Sequence, residues 1–288
     1  MRPATRQGTR PARLLTRRGT RAARPAFWLL VLGGLCACAR AETGPAYAPV
    51  AGVQEVNLEW QPTTGMRLVY RVTTDVEASG PLTQPVADKD KKRHVALTRS
   101  LEVTDVGPEY FDVRFSQNGV TLPATLRFSR AWEPLKVQPD SPVVLGDKEQ
   151  SALEAALRQL GEPFAESAKF FGRWKVGDTR PFDIQLSAVP GASGSGRGTM
   201  TFRRVVMIDG RQAAEFDWKG RTEFVFAGDP GRGAPGTMTI AGQEWRDLVT
   251  GASLRLTAKA EAEFTRQGQP TKVEYQTDEV LDASASRF

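Results

Sequence analysis

Cysteine and histidine are nearly absent from this sequence. Among 288 residues there are two cysteines and one histidine. Both cysteines, Cys36 and Cys38, lie close to the N-terminus, so no disulfide can cross-link the chain that follows them. Apolar packing has to stabilise that part of the protein, and its roughly 250 residues are enough to form one large or two small cores.

The scarcity of these two residue types also limits the chemistry. A zinc site needs four ligands, and beyond Cys38 the chain offers only His94 besides carboxylates, so we predict no metal site. Any Ser-His-Asp or Cys-His arrangement would have to use His94. This residue ends the mixed-charge run Asp88–His94, which is typical of a solvated loop. The sequence therefore indicates no histidine-based catalysis.

Two further patterns could suggest an enzyme, and both have simpler interpretations. The glycine-rich run Gly191–Gly198 lacks the Lys-Ser/Thr ending of a phosphate-binding loop and predicts a hairpin loop instead. Glu215 and Asp217 alternate along one predicted strand, about 7 Å apart by strand rise, a spacing that glycoside hydrolysis could use. Paired acids are also common on a solvated sheet face. We predict a protein without catalytic residues or cofactors, and an enzyme is the least favoured class.

Long apolar runs are missing as well. The continuously apolar run Ala26–Ala37 is shorter than the roughly 20 residues that a membrane-spanning helix needs. It fits the apolar core of a signal peptide, which has roughly 7 to 15 residues. Eight arginines and no acidic residue precede it. We therefore predict a signal peptide over residues 1–37.

The two cysteines fit the end of such a signal. The sequence "LCAC" at residues 35–38 resembles the bacterial lipobox, in which a small residue directly precedes the lipid-modified cysteine. Cys38 follows alanine, whereas Cys36 follows leucine, so Cys38 is the predicted lipidation site. Ala39 after it favours the outer over the inner membrane, by analogy with enterobacterial sorting. The alternative is cleavage after the A-x-A motif Ala39–Ala41, which would give a secreted or soluble periplasmic chain.

Removing the leader changes the net charge. The whole chain carries +6, but without the leader 31 basic residues face 33 acidic ones, a net charge near −2. Proteins that bind nucleic acid need an excess of positive charge to neutralise phosphates. The sequence therefore predicts no nucleic-acid partner.

The rest of the chain divides into a tether, two regions of strands and a helical segment. Residues after Cys38 are rich in Ala, Pro and Gly without periodicity, which is typical of a flexible spacer. Apolar and polar residues then alternate in two long regions, which predicts strands. The predicted organisation is a signal peptide at 1–37, a tether at 38–52, a first β-unit at 53–146, a helical segment at 147–172 and a second β-unit at 173–288.

One predicted strand is unusually long. Ala252–Phe264 alternates over thirteen residues, roughly 43 Å at 3.3 Å each, and a strand of that length favours a twisted, curved sheet. Similar apolar offsets follow Gly107 and Gly210, which is compatible with two related β-units and also with ordinary hairpins. The predicted fold class is mainly β, with a long curved antiparallel sheet that is half-barrel-like.

One helix is predicted between the strand regions. Residues Asp147–Leu160 place leucine and alanine at i, i+3, i+4 and i+7 spacing, and Gly161 can end the helix. A second short helix is predicted within "FAESAKFFGRW" at 164–174. Both would need an apolar surface to cover.

These features resemble uncharacterised bacterial envelope lipoproteins. The resemblance rests on "LCAC" at 35–38, "KVGDTR" at 175–180 and "DLVTG" at 247–251, with long strands on both sides of a helix. The layout is more distantly similar to the lipoprotein carriers of the periplasm, in which helices cover a curved sheet that holds lipid chains. It implies a membrane anchor at Cys38 and an apolar or lipid ligand on the concave face. The alternative is a structural or protein-interaction lipoprotein with a fully packed core.

Overall fold

The protein is built almost entirely from β-strands. The computed structural model describes residues 47–80, 92–121, 124–140, 168–186, 192–226, 234–266 and 268–288. These ranges contain fifteen strands: β1 (Ala48–Pro49), β2 (Glu55–Leu58), β3 (Arg67–Ser79), β4 (Lys92–Val106), β5 (Tyr110–Gln117), β6 (Val120–Thr121), β7 (Ala124–Ser129), β8 (Pro134–Pro139), β9 (Gly172–Lys175), β10 (Thr179–Gln185), β11 (Ala192–Ile208), β12 (Arg211–Phe226), β13 (Ala234–Asp247), β14 (Ser253–Arg266) and β15 (Gln269–Leu281).

Thirteen of these strands form one antiparallel sheet. The strand order is β1-β11-β12-β13-β14-β15-β3-β4-β5-β7-β8, with β10 also paired to β11 and β6 to β5. Because β15 pairs with β3, the two predicted β-units join into a single sheet. The sheet is open within the described residues, with β8 at one edge and β1 and β10 at the other. The mainly-β, curved, half-barrel-like fold is confirmed.

The predicted alternation of the long strand is confirmed. In β14 the side chains of Leu254, Ala258, Ala260 and Ala262 are buried and that of Leu256 is half-buried, while the positions that alternate with them are polar. The cross-strand registers extend this face over the neighbouring strands. We call it the inner face, and it carries Phe216, Ile240, Ala260, Val72 and Val113 on successive parts of the sheet.

The sheet is strongly curved. Trp60 packs its ring against Phe111, which lies in β5, and against Trp132, which lies between β7 and β8. The next residue, Gln61, donates its backbone N–H to the carbonyl of Thr250, in the turn between β13 and β14. Five strand spacings, roughly 24 Å along the sheet, separate β13 from β5. Two adjacent residues can reach both places only because the sheet bends around them.

A second sheet of two strands covers part of the inner face. Strands β2 and β9 pair with each other and place Leu58 and Trp174 against the main sheet. Their contacts are Phe202 in β11 and Phe216 in β12. All four side chains are fully buried, so this small sheet is part of the core.

The tether prediction is wrong for its last residues. Ala48 and Pro49 pair with β11, and Val50 donates its backbone N–H to Val205 at 2.9 Å. The Tyr47 ring packs edge-on against Trp245. The composition suggested a spacer, but an edge strand can satisfy the backbone groups of Ala and Pro without a distinctive sequence pattern.

The glycine-rich segment is also a strand, and not the predicted loop. Strand β11 begins at Ala192, and its glycines allow a close approach of neighbouring groups. A Cβ on Gly198 would lie 2.3 Å from the Phe182 ring, and one on Gly196 would lie 2.1 Å from the carbonyl oxygen of Arg221. Similarly, Lys92–His94 belong to β4, although the sequence predicted a loop there.

The predicted helices lie mostly outside the described residues. Asp147–Leu160 is not described. The described part of the second predicted helix begins at Ala168, with a 3-10 turn at Ala168–Phe170, and β9 starts at Gly172. Across the described ranges, no helix has the length and apolarity that crossing a membrane would require.

Candidate functional site

A cluster of charged side chains interrupts the apolar inner face near its centre. Four residues, which we call the charged cluster, contribute to it: Arg99 in β4, Glu244 and Arg246 in β13, and Glu279 in β15. Strand registers place them on the inner face, since Glu244 pairs with Phe216 and Leu256, and Glu279 pairs with Leu256 and Val72. Charged groups at such positions are costly unless they are paired.

The Glu244–Arg246 pair is deeply buried. Arg246 Nη2 lies 2.6 Å from Glu244 Oε1, and both side chains are about 5% exposed. Arg246 Nη1 also donates a hydrogen bond to the carbonyl of Gly251 at 3.1 Å. The Phe170 ring lies 4.4 Å below the guanidinium, so the arginine is enclosed by protein.

The Arg99–Glu279 pair lies nearer to accessible space. Arg99 Nη1 is 3.4 Å from Glu279 Oε2, and the two side chains remain 16% and 15% exposed. Tyr70 and Gln117 are the direct cross-strand neighbours of Arg99 on either side. The two pairs therefore form one polar region between apolar surfaces.

Burial controls the protonation of this region. Desolvation raises the pKa of the Glu244 carboxyl, although Arg246 and a hydrogen bond from Ser253 act in the opposite direction. Desolvation also raises the pKa of the Tyr70 phenol, and Glu279 adds to this effect. Arg246 and Arg99 act on Tyr70 in the lowering direction, so the cluster is electrostatically connected across β3 and β13. Tyr70 remains a protonated hydrogen-bond donor at neutral pH.

Beyond the charged cluster, small and aromatic residues alternate along the inner face. Ala258, Ala260 and Ala262 follow one another in β14. Aromatic rings lie over glycines of the adjacent strands, as where the Trp218 ring lies 2.6 Å from a Cβ placed on Gly242. The alanines are buried among larger apolar side chains, and Leu256, Phe264 and Tyr275 in this region remain partly exposed.

This apolar region leads to a groove at the end of the sheet. This rim groove has a volume of about 1030 Å³ and is bounded by the ends of β3 and β11 to β15. Phe224 and Phe264 form an edge-to-face pair in its lining, with ring centroids 6.0 Å apart. Thr271 also lines it, with a buried hydroxyl that has no hydrogen-bond partner among the described residues. The lining therefore combines these apolar rings with serine, threonine, glutamate and lysine side chains.

The paired acids suggested by the sequence lie on the opposite face and are occupied. Glu215 accepts from Arg204 Nε at 3.0 Å, and Asp217 accepts from Arg203 Nε at 2.5 Å. Both carboxylates therefore have structural partners. His94 is exposed and lies 2.8 Å from Asp75. In the part of the chain that the structure describes, no group of three or more His, Cys, Asp or Glu side chains could hold a metal ion. Cys38 lies outside the described residues.

The charged cluster was not identified from the sequence, although a signal for it exists. Arg99 stands between Leu97 and Leu101 at an inward position of β4, and Glu279 stands in the same relation to Leu281 in β15. Charged residues at inward positions of alternating strands can indicate a buried polar site. Their pairing depends on contacts between distant parts of the chain.

Comparison with known proteins does not assign a family. No family model matches the chain, and no curated protein matches it. Ail, the attachment invasion locus protein of Yersinia pestis, is similar at 7% identity over 78% of this chain and 100% of that chain, with a TM-score of 0.18. A Bacteroides fragilis protein with a YmcC-like fold is similar at 10% identity over 78% and 98%, with a TM-score of 0.29. These TM-scores are too low to support a function.

Proposed function

We propose that the protein is a non-catalytic envelope lipoprotein, anchored through Cys38, whose inner face binds a ligand with apolar chains. The rim groove is the observation that supports this most directly. Its volume of about 1030 Å³ lies just above the usual range for small-ligand sites. It includes Phe264, which belongs with Leu256 and Tyr275 to the partly exposed apolar side chains of the inner face that an extended chain could contact.

A packed envelope protein is the second candidate. Much of the inner face consists of buried residues, and the small sheet with Trp174 covers the part formed by β11 and β12. A protein of this kind would retain no ligand. An enzyme is less favoured, because the acids Glu215 and Asp217 are each paired with an arginine.

The anchor can be tested by replacing one atom. The Cys38→Ser variant is expected to move from the membrane fraction to the soluble fraction, because serine cannot carry the thioether-linked chains that hold a lipoprotein stably at a membrane. Fractionation of cells producing either form measures this. Cys36→Ser is the matched control and should stay with the membrane; a membrane-bound Cys38→Ser protein would contradict lipidation at this residue.

Ligand binding can be tested on the same soluble variant. Native mass spectrometry of the Cys38→Ser protein, purified without detergent, is expected to show a lipid-sized adduct that denaturation releases. Phe264→Ser, which removes an aromatic ring from the rim groove, should reduce the occupied fraction several-fold, since burying a phenyl ring contributes about 1.5–3 kcal/mol.

Val249→Ser provides the control for this experiment. Val249 is 74% exposed in the turn between β13 and β14, far from the groove lining. Its substitution should leave the adduct unchanged. A bare polypeptide mass for every variant would favour the packed protein over the binding protein.

A further inference from the structure

Three arginines show how this protein holds carboxylates. Each uses the edge of the guanidinium formed by Nε and Nη2 to make two parallel hydrogen bonds. Arg127 binds Asp112 in this way at 2.7 and 2.8 Å. Arg211 binds Asp247 at 3.1 and 2.8 Å, and Arg255 binds Asp278 at 3.0 and 2.6 Å. The two-pronged edge is thus the ordinary anion-binding group of this fold.

Among the described residues, nothing occupies the same edge of Arg99. Its Nε and Nη2 are buried and have no hydrogen-bond partner among the described residues, and only Nη1 contacts Glu279. The neighbouring Gln117 has a buried side-chain oxygen that is also unpaired within the described ranges. A buried donor without a partner is costly, so such groups usually bind something.

The surroundings of Arg99 fit an anion attached to an apolar chain. The side chain as a whole is 16% exposed, while Nε and Nη2 themselves are enclosed by protein. It lies between Leu97 and Leu101, and the charged cluster borders the apolar side chains of β14 through Leu256.

We propose that Arg99 binds the anionic headgroup of an amphiphile, with Nε and Nη2 donating to two oxygens of one carboxylate or phosphate. The apolar chain extends along the inner face past the partly exposed side chains of Leu256, Tyr275 and Phe264. This inference rests on the proposed binding function and adds the chemistry of the headgroup to it. Carboxylate and phosphate share the geometry that the guanidinium edge recognises.

A matched set of probes tests this proposal. Dissociation constants of dodecanoate, dodecyl phosphate and dodecanol are measured for the Cys38→Ser protein by calorimetry at pH 7. At least one anionic probe should bind about 10- to 100-fold more tightly than the alcohol, the factor that charge-assisted hydrogen bonds correspond to. The tighter of the two anions identifies the headgroup as carboxylate or phosphate.

Substitution of Arg99 completes the test. Arg99→Met should remove the preference for the anion and leave dodecanol binding unchanged. Since this variant leaves Glu279 without its partner, Arg99→Met/Glu279→Gln repeats the measurement with both charges removed. Arg114→Met is the control, because Arg114 lies on the outer face of the adjacent strand β5 and binds Asp140 there.

The outcomes separate the two proposals. Equal affinity for the anions and the alcohol, or a preference that persists without Arg99, would overturn the headgroup assignment and leave the binding function intact. Failure of all three probes to bind would overturn both.

Discussion

Replacing Arg246 by methionine is expected to lower the free energy of unfolding by about 3–5 kcal/mol, the usual effect of removing one partner of a buried ion pair. The reason is the carboxylate left behind. Glu244 is about 5% exposed, and Arg246 supplies the cation 2.6 Å from it. Without the arginine, ionised Glu244 would be buried without a counter-charge, and the Gly251 carbonyl would lose its donor. Urea unfolding of the Cys38→Ser protein with and without this substitution measures the effect.

The pH dependence identifies Glu244 as the cause. Because burial already raises the pKa of Glu244 in the folded protein, and Arg246 is a factor that lowers it, the variant should have a still higher pKa there. A raised folded-state pKa of a carboxyl means that stability is greatest below the unfolded-state pKa and is lost as the pH rises through the folded-state value. The cost of Arg246→Met should therefore shrink as the pH is lowered.

A double variant provides the control for this effect. Glu244→Gln/Arg246→Met removes the stranded charge and should recover part of the lost stability at pH 7. It should also show a smaller pH dependence than Arg246→Met. If the single and double variants are equally destabilised at every pH, the arginine contributes through packing against Phe170 and not through its charge.

The sheet was largely predictable because one of its faces is buried. Period-two alternation follows directly from this, and it marked β14 to within two residues at each end. Turns were also predictable where glycine takes a positive φ, as at Gly268 between β14 and β15 and at Gly177 after β9. These are local properties, which a short stretch of sequence contains in full.

The charged cluster was not predictable in the same way. Arg99 and Glu279 are 180 residues apart in the chain and meet only because β15 pairs with β3. The residues near Arg99 in the sequence do not identify its partner, and they do not indicate that two of its donors have no partner among the described residues. The same limit applies to the glycines of β11, because the groups that need their space, such as the Phe182 ring, come from another strand.

The pairing of β15 with β3 also explains why two β-units were predicted. The strands of each unit follow one another along the chain, so each looks complete. The contact between the two units is formed by Leu281 opposite Tyr70 and the residue pairs beyond them, and edge pairing has no sequence motif of its own.

Replacing Trp174 by alanine is expected to lower the free energy of unfolding by about 3–5 kcal/mol, the range for removing a large aromatic side chain from a core. Trp174 is fully buried and fixes the small sheet of β2 and β9 to the main sheet. Its ring packs edge-on against Phe216, with centroids 5.0 Å apart. The Arg180 guanidinium lies over the ring, 3.7 Å from its centre. Chemical denaturation of the Cys38→Ser protein measures the loss.

Two further substitutions define what this loss means. Trp174→Phe keeps a ring in place but leaves the Phe170 carbonyl without its indole donor, now at 2.7 Å, so about 1–3 kcal/mol should be lost. Val249→Ala, at an exposed turn, should change stability by no more than about 0.5 kcal/mol. A loss below 1 kcal/mol for Trp174→Ala would contradict anchoring by this ring, because the small sheet would then be held to the inner face by its other contacts, chiefly Leu58.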